Sequence, residues 1–135
     1  MNNQKTRIPL FVVGAHLSGM PLNYQLQNAD AKFLAPAITT SDYRLYVIAS
    51  QVPPKPGLIR VPGSQGPGIA GEIWTLEAGP FGRFVADIPA PLGIGKVIMS
   101  NGEAVSGFLC EAYATNDAQD ITHFGGWRNY LAITG

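Results

Sequence analysis

The chain has 135 residues, 46% of them apolar and 13% charged, enough to build one hydrophobic core and too apolar to stay disordered. Nine basic and nine acidic residues cancel without forming a basic stripe, so neither nucleic acid nor an anionic membrane surface is an expected partner. One cysteine excludes an internal disulfide, and no apolar run reaches the length of a membrane span.

Residues 1–7 begin with a polar stretch (Asn2, Asn3, Gln4, Lys5) that reads as frayed. Ile8 to Val13 is a nearly continuous apolar run ending at Gly14, the pattern of a buried strand. Gly14 to Gly19 is a small-residue loop, and Leu22 to Leu26 is helical or extended, with periodicity undecided. Ala31 to Ala37 is apolar around Pro36. Tyr43 to Ala49 carries strand-type residues on both faces and reads as a central strand. Pro53-Pro54-Lys55-Pro56-Gly57 is expected to be a stiff loop, followed by a strand over Leu58 to Val61.

Pro62 to Gly68 is a turn, and Ile69 to Leu76 a further strand. Phe81, Phe84, Val85 and Ile88 recur at helical spacing, predicting one amphipathic helix over Pro80 to Ile88 that Pro89 and Pro91 stop. Asn101-Gly102 between two β-prone runs, Lys96 to Ser100 and Glu103 to Ala114, predicts a hairpin with a type I′ turn. Thr122 is placed to cap a last helix running to Ile133, which Gly125-Gly126 weakens and whose apolar side holds Phe124, Trp127, Tyr130 and Leu131. About six strands and two or three helices predict an α+β domain spanning 1–135, a small mixed sheet or partly closed β-barrel with flanking helices. Cys110 follows Phe108 and Leu109, which suits a buried, inert thiol.

Five strings carry a specific resemblance: 11–23 (FVVGAHLSGMPLN), 43–46 (YRLY) with 53–57 (PPKPG), 88–95 (IPAPLGIG), 107–112 (GFLCEA) and 124–131 (FGGWRNYL). In this order, over about Pro9 to Ala132, they are similar to the C-terminal domain of allophanate hydrolase. The resemblance implies a gamma-glutamyl cyclotransferase-like fold. It implies a place in allophanate and urea breakdown, in the decarboxylation that follows the hydrolysis performed by a Ser-Ser-Lys amidase domain. In some relatives the domain is implied to serve mainly in assembly. The chain shows no Gly/Ser-rich amidase signature, so it is expected to act alone on the second step or beside a separate amidase subunit; self-association is left open. No cofactor is expected, and the cytoplasm is the expected location.

Backbone amides after a strand that ends in glycine can hold a carboxylate. Val13, Gly14, Ala15, Leu17 and Ser18 therefore form the expected seat for a small anionic, carboxylated urea- or carbamate-type molecule, with His16 as the acid–base residue. Asn23 and Tyr46 are candidates for neutral hydrogen bonds, Lys55 for an ion pair on a rigid loop, and Glu72 for a carboxylate lining the site. Glu111 and Arg128 are further candidate lining residues. Cyclotransferases use a glutamate in a helix matching Phe81 to Pro91. That stretch holds Asp87 and no glutamate, which ranks cyclotransferase chemistry last. His123 and His16 lie far apart with no third ligand at metal spacing, so no metal site is expected. The second reading is a non-catalytic assembly or partner-binding module.

Overall fold

A computed structural model describes residues 6–49 and 53–134. Its strands are β1 (Arg7–Val12), β2 (Lys32–Ile38), β3 (Tyr43–Ile48), β4 (Lys55–Arg60), β5 (Ala70–Glu77), β6 (Leu92–Ile98), β7 (Ala104–Cys110) and β8 (Gln119–Asp120). The α-helices are α1 (Asn23–Asn28), α2 (Ala78–Ala86) and α3 (Trp127–Thr134), with 3₁₀ turns at Ala112–Thr115 and Thr122–Phe124. A five-stranded sheet runs β2-β5-β1-β7-β6, and a three-stranded sheet runs β4-β3-β8. In the larger sheet β1 pairs parallel with β7, and the other pairings are antiparallel. Its two edges approach each other at the bridge Thr39–Met99, flanked by Thr40 N–H to Ile98 O and Ser100 N–H to Ile38 O. The result is a mixed α+β fold that is partly closed without becoming a full barrel.

Apolar side chains from both sheets meet in one core. Leu10, Phe11, Leu45, Leu58, Ile69, Leu76 and Ile121 are fully buried there. Burying each of these large side chains contributes on the order of 2 kcal/mol. Tyr43 is fully buried as well, and its hydroxyl accepts the Ile98 N–H at 2.9 Å, joining the smaller sheet to β6. On the short α1, Leu26 is the fully buried residue that anchors the helix to the core.

Several local expectations are corrected. The stiff loop expected at 53–57 becomes strand from Lys55, with Pro56 opposite Val47 and Gly57 opposite Tyr46. Proline is accommodated because β4 is an edge strand, where its missing N–H breaks no ladder. Pro36 sits by the same logic in edge strand β2. The hairpin at Asn101-Gly102 exists, but the turn differs from type I′, because only Gly102 has a positive φ, 90°. Gly102 N–H reaches Met99 O and Met99 N–H reaches Glu103 O, a three-residue loop, and the Asn101 side chain takes the Glu103 N–H. β7 stops at Cys110, not Ala114. Thr122 caps no helix: its hydroxyl accepts Leu45 N–H, and Gly125 at φ 77° ends a 3₁₀ turn before α3 begins at Trp127. The strands number eight among the described residues, not six. Residues 2–5 lie outside the described residues. Arg7, grouped with them as frayed, is in β1, and its guanidinium bonds Thr75 and the carbonyl of Asp30.

Candidate functional site

β1 ends at Val12, and the chain turns over Gly14 to Leu17, closed by Leu17 N–H to Gly14 O at 3.0 Å. Gly14 is required sterically: a Cβ there would lie 2.6 Å from Cδ of Pro56. The turn forms the floor of a cleft of about 700 Å³ between α1 and α2, with Lys55 and Pro56 of β4 on a third side. Val13, Gly14, Ala15, His16 and Lys55 all line this cleft.

His16 is held on several sides. Its ring stacks on Phe108 (centroids 5.0 Å apart) and meets the edge of Phe84 (5.2 Å). Nε2 lies 2.8 Å from Gln25 Oε1. With that oxygen as acceptor, Nε2 carries the proton and Nδ1 keeps its lone pair. The main-chain carbonyl of His16 accepts from Asn23 Nδ2 at 2.8 Å, so Asn23 shapes the turn from behind. Burial lowers the imidazole pKa from its ordinary 6.5; the Gln25 contact opposes this and the Lys55 charge adds to it. The ring is therefore predominantly neutral at pH 7.

The cleft walls carry mixed charge: Lys55 and Arg83 against Asp30 and Asp87. Among the described residues, the side chains of Lys55 and Arg83 have no hydrogen-bond or ion-pair partner. The Asp30 and Asp87 carboxylates are likewise without an ion-pair partner there, so the wall charges balance, and what the arrangement offers is a neutral imidazole able to exchange a proton, with two cations free to meet a ligand's negative group. Apolar surface from Leu22, Ile88, Leu92 and Phe84 fills much of the remaining lining.

Six other residues singled out in the sequence lie away from the cleft. Leu17 is 2% exposed and belongs to the core. Ser18 turns the opposite way: its N–H and hydroxyl both donate to Glu72 Oε1, at 2.8 and 2.9 Å. Glu72 also accepts from Trp74 Nε1 at 3.1 Å and from Arg128 at 3.1 Å. The Ser18 end of the expected anion seat is thus occupied by the protein's own carboxylate. Burial alone would raise the Glu72 pKa, but the bonds from Ser18, Trp74 and Arg128 outweigh it and hold the group below its ordinary range. Tyr46 stands on β3 opposite Asp120 of β8, beyond the cleft. Glu111 is exposed just after β7, and Arg128 joins the Ser18–Glu72 cluster. Burial raises the Cys110 thiol pKa, as expected of an inert cysteine.

Sequence reasoning missed Gln25 and Arg83. Arg83 carried a usable signal: Pro80, Arg83 and Asp87 fall three and four apart, so they share the helix face that borders the cleft. Gln25 carried none, because the α1 segment shows no decisive period.

Fold and site define an α+β domain of gamma-glutamyl cyclotransferase-like fold with a mixed-charge cleft at the end of its first strand. A gamma-glutamyl cyclotransferase structure shares this fold at a TM-score of 0.54 with 12% identity over 85% of this chain and 70% of that one. Residues 8–132 match the family model of the allophanate hydrolase C-terminal domain, and the chain belongs to that family. It is 41% identical over 131 residues to urea amidolyase of Saccharomyces cerevisiae, covering 95% of this chain but 7% of that protein. The structure of Kluyveromyces lactis allophanate hydrolase superposes at a TM-score of 0.91 with 40% identity, over 96% of this chain and 22% of that one. A uropathogenic E. coli-specific protein superposes at 0.85 with 35% identity, over 94% of this chain and 97% of that one. The chain thus spans a small fraction of the multidomain relatives and nearly all of the E. coli protein.

Proposed function

We propose that the cleft binds a small carboxylated urea- or carbamate-type anion and that His16 supplies the proton for its decarboxylation. The supporting observation is the neutral, half-enclosed imidazole of His16 at the cleft floor beside two unpaired cations, Lys55 and Arg83. An arriving carboxylate opposes the Lys55 charge and favours protonation of the ring. The imidazolium then gives its proton to the substrate nitrogen. The C–N bond breaks with its electron pair moving to that nitrogen, carbon dioxide leaves, and the ring is back in its neutral resting form, to take a proton from solvent when the next anion binds. Proton, charge and atoms balance without a cofactor. The chain works in this reading in the cytoplasm, with a separate amidase supplying the carboxylated product.

Stopped-flow mixing of ammonium carbamate with the protein, read by a pH indicator, tests the proposal. Positioned general acids accelerate by roughly 10²–10⁴-fold. The wild type is expected to speed decay of carbamate and His16→Ala to lose that acceleration while keeping its fold. Equal rates with and without wild-type protein would defeat the enzymatic reading.

A second reading, an assembly module, has its own support. Phe33, Leu34 and Ile38 on edge strand β2 are 49%, 60% and 39% exposed, and none lines the cleft. An uncovered apolar sheet edge is a usual pairing surface. A strictly monomeric chain that also fails to bind a separately expressed amidase would remove this reading.

A further inference from the structure

The site loop is held from two sides. On the α1 side, Asn23 Nδ2 takes the His16 carbonyl, Leu22 N–H takes the Ala15 carbonyl, and Gln25 meets the imidazole. On the other side every polar atom of Ser18 is engaged. Its N–H and hydroxyl go to Glu72 Oε1, and its carbonyl accepts from Arg128 Nη2 at 2.7 Å. The same Nη2 bonds Glu72 Oε2 at 3.1 Å. Ser18, Glu72 and Arg128 come from three distant parts of the chain: the site loop, β5 and α3. Glu72 lies directly across from Val12, two residues before the loop begins at Gly14. The approach to α3 is pinned to the same strand, because Ala70 N–H donates to the Gly125 carbonyl.

We propose that Glu72 and Arg128 form a lock that sets the shape of the cleft floor through Ser18, so that seating of α3 controls how His16 is presented. Both are positioning residues, since neither lines the cleft. The reasoning is geometric. Ser18 is two residues from His16, and the turn between them is a single closed loop. A carboxylate with a side chain 13% exposed accepts four hydrogen bonds, three of which would be strained by any outward movement of Ser18 or α3. Arg128, with its side chain 47% exposed, closes the cluster from the solvent side. Only the Arg128 side of the pair is exposed, and Ser18 and Trp74 keep three hydrogen bonds on Glu72, so removing the guanidinium should loosen the loop without unfolding the domain. The consequence for activity rests on the cleft being the ligand site; the lock itself does not.

NMR on the full chain tests it without any ligand. In Arg128→Ala the Ser18 amide should exchange about tenfold faster, as expected for local opening, while the Leu10 amide in buried β1 keeps its wild-type rate. The His16 titration midpoint should move upward toward its ordinary value as water gains access to the ring. Arg60→Ala, which breaks a surface pair with Asp42, should leave both unchanged. The proposal is overturned if Ser18 exchange or His16 titration stays at wild-type values, or if Leu10 accelerates in step with Ser18. Should Arg128→Ala not fold, Glu72→Gln, which keeps volume and an acceptor but drops the charge, is read by the same three signals. Malonate, a stable small carboxylate, separates the two proposals: no effect of malonate on the wild-type His16 resonance removes the ligand site and leaves the lock to stand or fall on exchange.

Discussion

Alanine in place of Gly14 and alanine in place of Gly82 make the same chemical change with opposite expected signs. At Gly14 the new methyl would sit 2.6 Å from Cδ of Pro56, where ordinary contact begins at 3.4 Å, so about 0.8 Å of separation must be found. The proline ring cannot rotate away, and its strand is fixed to β3 across the Pro56–Val47 pair. Overpacking of this kind costs about 1–3 kcal/mol. Alanine's lower entropy in the unfolded chain returns about 0.4–1 kcal/mol, because Gly14 needs no positive φ. The net loss is on the order of 1–2 kcal/mol. In urea this lowers the midpoint by about 0.5–1 M at constant slope. At Gly82, inside α2, a Cβ meets nothing within 4 Å, so Gly82→Ala should stabilise by about 0.5–1 kcal/mol. Urea unfolding followed by tryptophan fluorescence measures both. A Gly14→Ala protein as stable as the wild type would show that β4 yields freely, and the account of the cleft floor as a rigid contact would fail.

Three further outcomes follow from buried and half-buried polar groups. Tyr43→Phe leaves the Ile98 N–H without its partner inside the core and should cost about 1–3 kcal/mol; a loss under about 0.3 kcal/mol in the same urea assay would mean that the sheets are not joined there. For His16 the folded pKa lies below the ordinary 6.5, so the unfolded chain binds the proton first as pH falls. Stability should therefore be full above about pH 6.5 and decline below it until the folded ring also titrates, and His16→Ala should flatten that part of the profile. Glu72, held below its ordinary 4.5, adds a separate loss that begins lower, as pH falls through that value, and Glu72→Gln should remove it.

The elements legible in the sequence are those whose cause is local. Ile8 to Val13 reads as a strand because the run is apolar, and Leu10 to Val13 are buried on both faces; Phe81 with Phe84 marks the helix, which stops at Ala86, short of the expected Ile88. Where two causes compete, local reading failed. Proline at 56 argued for loop, yet an edge position removes its penalty, and edge or centre is decided by sheet order, which sequence does not display. Thr122 looked like a cap, but its hydroxyl is used 77 residues away by Leu45. The resemblance in the 11–23 string brought out His16 and the loop beneath it. It did not bring out Arg83 or Gln25, because their role comes from two helices converging on one cleft. Nor did it reveal that Ser18 faces Glu72, a contact across 54 residues that divides the loop between two functions.

That division bears on how charge is supplied. A loop whose amides all faced the cleft could hold a carboxylate by itself, as a nest of N–H dipoles does. Here Glu72 consumes the Ser18 end, so an incoming anion meets only the Gly14 to His16 part of the turn. In the proposed reading the remaining attraction comes from Lys55 and Arg83, full charges on two different walls that act against Asp30 and Asp87. Two unit charges 4 Å apart interact by about 1 kcal/mol in bulk water and about 4 kcal/mol near a protein surface, so their contribution grows as a ligand displaces water from the cleft. The same water loss penalises a charged imidazole unless an anion accompanies it. A ring that is neutral when the cleft is wet and protonated when an anion fills it would hold its proton for the moment at which a substrate nitrogen is there to receive it.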